Sequence, residues 1–250
     1  MTSIYTKNDF SNHQWNRFYL IEEQKLFYCK IPKVGSTTML KWLLMTYCIK
    51  NKIKNCTRFS QNEIHEVNYI KTYEKSFINL NSINNMEGVQ KILIVRHPAE
   101  RIVSAYLNKF IYETKRVGKS PHYVQQVRQA LTGYPEEFVT FEQFVSYLIN
   151  NSQKASQFNE HWALMSDLCL PGYINYKIIY LEQLDEFMQH LFKIYGLTEK
   201  GMFWIKDVTH KTNSVDYVSK YFLNLTTEMK YAFYNLYKND HLYFGFKPYL

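Results

Sequence analysis

The 250-residue chain predicts an α/β fold of three layers, α/β/α, built around a mainly parallel central sheet and organised as one domain over residues 1–250. Three observations predict it. Apolar runs of strand length alternate with longer segments of helical periodicity, the pattern of a largely parallel sheet covered by helices. Two of the strand-to-helix junctions carry cations, prolines and small residues, as ligand-binding junctions of open α/β sheets do. No internal repeat, low-complexity tract or linker interrupts the alternation, and the length suffices for one full core.

Residues 1–24 are expected to form an irregular lead-in that packs through Phe10, Trp15, Phe18 and Tyr19. Leu26-Phe27-Tyr28-Cys29 then reads as a buried strand. Pro32-Lys33-Val34-Gly35-Ser36-Thr37-Thr38 is a turn, and Met39, Leu40, Leu43, Leu44 and Tyr47 place apolar groups on one face of a helix ending near Asn51. Strand, small-residue turn and helix together form a phosphate cradle. Gly35 permits close backbone approach, the N–H groups of Ser36 to Thr38 open the helix, and Lys33 adds a full charge to the helix dipole. A strict Walker loop has two glycines and ends in Lys-Ser or Lys-Thr. Here the lysine precedes the glycine, which disfavours a nucleoside triphosphatase loop. The alternative for this stretch alone is an ordinary turn capped by Ser36 or Thr37.

Residues 50–58 read as a basic loop, and residues 59–89 hold His65 and Glu66 ahead of a turn at residues 84–88. Ile92 to Val95 reads as a central parallel strand, and Pro98 suits the first turn of the next helix. Ile102, Val103, Tyr106 and Phe110 form its buried stripe, with Arg101, Ser104 and Asn108 towards another face. Arg96 stands at the strand end, where arginine and serine can grip a phosphate by charge and hydroxyl together. The alternative is a surface arginine and a buried serine.

Residues 112–123, basic and carrying Gly118 and Pro121, are expected to be a mobile loop on the substrate side. Residues 124–131 read as a short helix stopped by Gly133. Thr140-Phe141-Glu142-Gln143 is a capping box that opens a helix with Phe141, Phe144, Val145 and Leu148 inside. In Asn159-Glu160-His161-Trp162, His161 is a candidate acceptor ligand or base and Trp162 a candidate for stacking on a sugar face; burial in an aromatic cluster is the alternative. Tyr176 to Tyr180 reads as another core strand. Residues 182–195 form an amphipathic helix stopped at Gly196, residues 210–214 a polar cationic loop, and residues 226–237 a final helix.

Taken together, two stretches resemble a known family. Ile31-Pro32-Lys33-Val34-Gly35-Ser36-Thr37-Thr38 resembles the 5′-phosphosulfate loop of sulfotransferases. Val95-Arg96-His97-Pro98, followed by Arg101, Ser104, Ala105 and Tyr106, resembles their 3′-phosphate motif. The match extends to the carbohydrate sulfotransferases of family 2, which modify chondroitin, dermatan and HNK-1-type glycans, through Asn159 to Trp162 and the closing pattern Tyr237, Asp240, Phe244-Gly245-Phe246. The resemblance implies a P-loop-like sulfotransferase fold. It implies 3′-phosphoadenosine 5′-phosphosulfate (PAPS) as donor, 3′-phosphoadenosine 5′-phosphate (PAP) as product, and no metal. Pro32 to Thr38 would hold the phosphosulfate, Arg96 and Ser104 the 3′-phosphate, and Lys211 and Thr212 would close over the nucleotide. Lys33 would stabilise the leaving phosphate, and His65 or Glu66 would serve as base. The acceptor would be a glycan hydroxyl or, alternatively, that of a small alcohol or natural product, since a fold does not dictate the acceptor.

Bulk composition narrows the rivals. Hydrophobic residues make up 46% and charged residues 21%, both globular values. The formal net charge of +8 favours an anionic partner, but the lysines are scattered, so no nucleic-acid stripe is evident. A nucleotide kinase would need a metal-binding acid where Arg96-His97-Pro98 stands, and a non-catalytic glycan-binding module would not need paired phosphate motifs. Cys29, Cys48, Cys56 and Cys169 form no Cys-x-x-Cys pair, and Cys29 and Cys48 read as core thiols. Relatives of the Golgi type show a second cysteine near the position of Cys169, which this sequence lacks. With no membrane-spanning run in the sequence, the expected location is cytoplasmic, with the Golgi lumen as alternative. The oligomeric state is left open.

Overall fold

The computed structural model describes residues 17–21, 25–54, 59, 61–66, 83–195, 214–222 and 224–249. Along the chain they form β1 (Phe18–Ile21), β2 (Leu26–Cys29), α1 (Ser36–Lys50), α2 (Gln61–Glu66), β3 (Gln90–Val95), α3 (Pro98–Tyr106), a π-helical stretch (Leu107–Glu113), α4 (Thr114–Val117) and α5 (His122–Thr132). There follow α6 (Phe141–Asn150), α7 (Met165–Cys169), β4 (Lys177–Tyr180), α8 (Leu184–Tyr195), α9 (Ser214–Phe222), α10 (Thr227–Leu236) and α11 (Lys238–Phe244). They fall into two compact units, one of residues 1–31, 35–94 and 169–209, the other of residues 32–34, 95–168 and 210–250.

The first unit contains the sheet, a mixed, mainly parallel one of order β1-β2-β3-β4 flanked by helices. β2 runs parallel to β3, with Tyr28 opposite Ile92, and β1 pairs antiparallel with β2, with Phe18 opposite Cys29. All four residues of β2 are buried. The Phe27 ring lies between those of Phe18 and Tyr176, at 5.7 and 6.4 Å. The expectation of an irregular lead-in is therefore corrected over Phe18–Ile21, an aromatic and β-branched run that suits an edge strand. Phe10 and Trp15 lie outside the described residues.

A parallel β2–β3 pair requires a crossover, and α1 and α2 lie within it. α1 is not amphipathic as expected: Met39, Leu40, Trp42, Leu43, Leu44 and Met45 are all buried, so the helix is covered on every side. The cysteines also depart from expectation. Cys29 and Cys169 form a disulfide across 140 residues, Cys48 is disulfide-bonded too, and no free cysteine is present among the described residues. A core-thiol reading followed from burial alone. Pairing requires proximity, which the fold supplies by bringing the end of α7 to β2, with the two Cα atoms 6.0 Å apart.

In the second unit every residue of α3 is buried, and the helix runs through the π-helical stretch into α4. The loop expected at residues 112–123 is thus corrected: helix persists to Val117, and the chain turns only through residues 118–121 before α5. Gly118, at φ 72°, ends α4 in the left-handed conformation. Buried Arg128 donates to the Phe110 carbonyl inside the π stretch at 2.9 Å and to the Glu136 carbonyl at 3.1 Å. The core is aromatic, with Tyr106, Phe110, Phe144, Trp162, Phe222 and Phe233 in one cluster. α6 carries the predicted Thr140–Gln143 capping box. α11 was not foreseen. Its Asp240 accepts from the N–H groups of Met165 and Ser166 at the start of α7, while Tyr237 donates to the Trp162 carbonyl at 2.6 Å. Of the closing motif, Tyr237 therefore holds the Asn159–Trp162 segment and Asp240 the start of α7 that follows it.

Candidate active site

The phosphate-loop candidate divides between the units, and each half has its own surroundings. In the half containing Pro32, Lys33 and Val34, Lys33 has φ 73°, a left-handed conformation that side chains other than glycine rarely adopt. Two arginines hold this turn by its carbonyls. Arg101 donates from Nε to the Pro32 oxygen at 3.0 Å, and Arg96 from Nη1 to the Lys33 oxygen at 3.0 Å. Val34 is fully buried.

Arg101 also donates to the carbonyls of Ala163 at 2.5 Å and Glu160 at 2.7 Å. It thereby ties the turn to the segment holding His161. With 1% of its surface exposed, it is a structural arginine joining these segments. Its sequence spacing assigned it only to another face of α3. Arg96 and Ser104 are likewise buried, at 5% and 2% exposure, which excludes the surface-arginine alternative. Arg96 Nε lies 3.4 Å from Glu100 Oε2, one helical turn on.

The electrostatics of this half are dominated by burial and by neighbouring cations. Burial, and then the charges of Lys109, Arg96 and Arg101, push the Lys33 ammonium down to about 7, with Glu113 opposing. Lys109 projects from the π-helical stretch, pairs with Glu113 at 2.6 Å and lies 6.0 Å over the Tyr123 ring. Tyr123 stacks on His161 at 5.4 Å, and His161 Nδ1 lies 2.6 Å from Asn159 Oδ1. Trp162 is 2% exposed and packs edge-on to Phe144. The proposal that it stacks on a sugar is corrected, because its indole is enclosed by core rings.

The other half, from Gly35 to Thr38, opens α1. Gly35 has φ 85° and provides no side-chain cap, and neither Ser36 nor Thr37 serves as one. A Cβ on Gly35 would lie 2.5 Å from Leu184 Cδ2 and 3.0 Å from Leu181 Cδ1. The glycine therefore makes room for leucines as well as supplying the turn. Ser36 is buried, and Thr37 and Thr38 are half-buried. Exposed His65, on α2, reaches this end: its Nε2 lies 3.1 Å from Thr37 Oγ1. The sequence placed His65 in the segment before β3 without a partner; packing of α2 on α1 provides one. The Glu66 side chain and residues Lys211 and Thr212 lie outside the described residues.

Among the described residues no group of His, Cys, Asp and Glu side chains is arranged to hold a metal ion, and no helix is long and apolar enough to cross a membrane. The half at Lys33 offers buried cations, and the half at Gly35 offers helix-opening N–H groups and a histidine near a hydroxyl. Each of these features, taken by itself, suits an anionic group.

Comparison with known proteins points the same way. The profile of the Sulfotransferase family matches residues 16–247. Carbohydrate sulfotransferase 11 of Rattus norvegicus is 30% identical over 235 residues, which cover 90% of this chain and 65% of the relative. Carbohydrate sulfotransferase 9 of Homo sapiens is 25% identical over 248 residues, 94% of this chain and 54% of the relative. Carbohydrate sulfotransferase 10 of Mus musculus is 24% identical over 250 residues, 93% of this chain and 67% of the relative. The chain thus spans just under two thirds of the length of the carbohydrate sulfotransferase 11 relatives, at 65%. No solved structure matches it. The expected cytoplasmic location is overturned by these matches, because such carbohydrate sulfotransferases are Golgi-resident. The Cys29–Cys169 disulfide agrees with that correction, since such bonds persist mainly in oxidising compartments.

Proposed function

The chain belongs to the sulfotransferase family, and from that premise we propose that it moves a sulfuryl group from PAPS to a hydroxyl of a carbohydrate acceptor. The observation that carries this reading is the state of Lys33. It stands in a strained turn held by two buried arginines, where burial, and then repulsion from the cations around it, push its ammonium down to about 7. A multiply charged anion bound there relieves that repulsion.

In this reading, Lys33 and the N–H groups of Gly35 to Thr38 hold the 5′-phosphosulfate, with Pro32 and Val34 shaping the turn. Lys33 stabilises the charge that develops on the phosphate oxygen as the bond to sulfur breaks. Arg96 and Ser104 hold the 3′-phosphate, and Lys211 and Thr212 complete that end. His65 accepts the acceptor's hydroxyl proton as the new S–O bond forms, with Glu66 and His161 as the other candidates. Transfer is in-line and releases PAP. Supporting the reading are the order and spacing of the two motifs and the hydrogen bond between Thr37 and His65.

The test is incubation with sulfate-labelled PAPS and a panel of glycans and small alcohols. Label should enter a glycan, and Lys33→Ala should lower kcat more than it weakens PAP binding. His65→Ala should slow turnover by about 10²–10⁴-fold; full activity would transfer the base role to Glu66 or His161. Binding of PAP with no label transferred to any acceptor would overturn the enzyme reading, and label entering small alcohols alone would overturn the acceptor class.

A further inference from the structure

Residues 245–249, which follow α11, lie against the first turn of α3 through contacts that involve the donor-site arginine. His97 is the N-cap of α3, with Nδ1 accepting from the Ala99 N–H at 3.2 Å. Its ring is therefore the tautomer protonated on Nε2, which donates to the Lys247 carbonyl at 2.7 Å. The same ring lies 4.0 Å from that of Tyr249 and 5.4 Å from that of Phe246. His241 Nδ1 meets the Phe246 carbonyl at 3.0 Å. Main chain and rings thus both fix this segment.

A relay of polar groups runs inward from it. Tyr249 donates its hydroxyl to Glu100 Oε1 at 3.2 Å. The other carboxylate oxygen, Oε2, faces Arg96 Nε at 3.4 Å, and Arg96 Nη1 donates to the Lys33 carbonyl at 3.0 Å. Glu100 and Arg96 are each 5% exposed, whereas Tyr249 is 44% exposed. A carboxylate held at both oxygens biases the orientation of a planar guanidinium beside it. The charge of Glu100 also partly compensates that of Arg96.

We propose that Tyr249 and Glu100 are positioning residues for the donor nucleotide: they set the Arg96 guanidinium to receive the 3′-phosphate. The proposal rests on the reading that Arg96 meets the 3′-phosphate. It gives the closing segment a task in donor recognition, with an exposed tyrosine as its outer member.

The experiment measures affinity for PAP and for adenosine 5′-phosphate, which lacks the 3′-phosphate, together with thermal stability. Tyr249→Phe keeps the ring contact with His97 and removes only the hydroxyl. It should weaken PAP binding by about threefold to tenfold, the value of one ordinary hydrogen bond, because the hydroxyl acts on the phosphate only through Glu100 and Arg96, and leave adenosine 5′-phosphate affinity and Tm unchanged. Glu100→Gln should give the larger loss of PAP affinity. Arg96→Ala should remove the preference for PAP, and Tyr249→Phe added to it should change nothing further. Unchanged or equally reduced affinity for both nucleotides in Tyr249→Phe, with PAP preference lost in Arg96→Ala, would overturn the relay and leave the Arg96 reading standing. Unchanged PAP affinity in Arg96→Ala would overturn the reading and the relay with it.

Discussion

Lys33 shows how one residue can be poised for an anion. Its backbone occupies a conformation costing about 1–3 kcal/mol for a residue with a side chain, and the arginine bonds to the Pro32 and Lys33 carbonyls hold it there. Its ammonium, pushed down to about 7 by burial and by Lys109, Arg96 and Arg101, is charged below that pH and increasingly neutral above it. A bound phosphosulfate or phosphate favours the charged form and raises the value again. Above about pH 7, PAP binding should therefore take up a proton, and affinity should fall by up to about tenfold per pH unit until the raised value is reached. Calorimetry in buffers of different ionisation enthalpy measures both quantities. Lys33→Met should flatten the profile, and a wild-type affinity independent of pH across this range would refute the linkage.

Among the elements, the junction between β2 and α1 depends on Gly35. Both its φ of 85° and the 2.5 Å approach of Leu184 to the position of a Cβ exclude a side chain. Gly35→Ala should cost roughly 2–4 kcal/mol, combining left-handed strain with overpacking, measured as a fall in the urea midpoint. Full stability would mean that α8 yields easily. In a Leu184→Ala background, Gly35→Ala should cost only the strain share of that loss, the packing share having gone with the Leu184 side chain. The helix that continues past Tyr106 teaches a different lesson. Residues 112–117 are polar and basic, which suggested a loop, but they lie on the outer part of a continuing helix. A π-helical stretch shifts the angular position of later residues, so the 3.6-residue pattern breaks where the backbone does not. Such wide turns are frequent at functional sites, and this one carries Lys109.

For the whole molecule, the Cys29–Cys169 bond is the longest-range covalent constraint described, closing 140 residues of chain between β2 and α7. Replacing both cysteines by serine should lower stability by about 2–5 kcal/mol, since the unfolded chain regains the entropy of that loop. Urea unfolding of the double variant beside wild type without reductant measures it; equal midpoints would show that the cross-link adds nothing to stability. The net charge of +8 belongs to the same scale and favours an anionic partner.

Much of this molecule is legible in the order of its residues alone. The alternation of apolar runs and helical periodicities implies the α/β class. The two junctions around Lys33 and Arg96, each a contiguous stretch, carry the family resemblance. Local signals suffice there because a turn, a cap or a helix stripe is made by residues a few positions apart. Tertiary structure alone decided that His65 meets Thr37, that Arg101 joins the Pro32 turn to the His161 segment, and that Trp162 is enclosed. It also decided that Cys29 finds Cys169 and that Tyr249 reaches Glu100. Those pairs are set by the packing of elements distant in the chain, and no periodicity along a single strand or helix encodes which distant side chain will stand opposite.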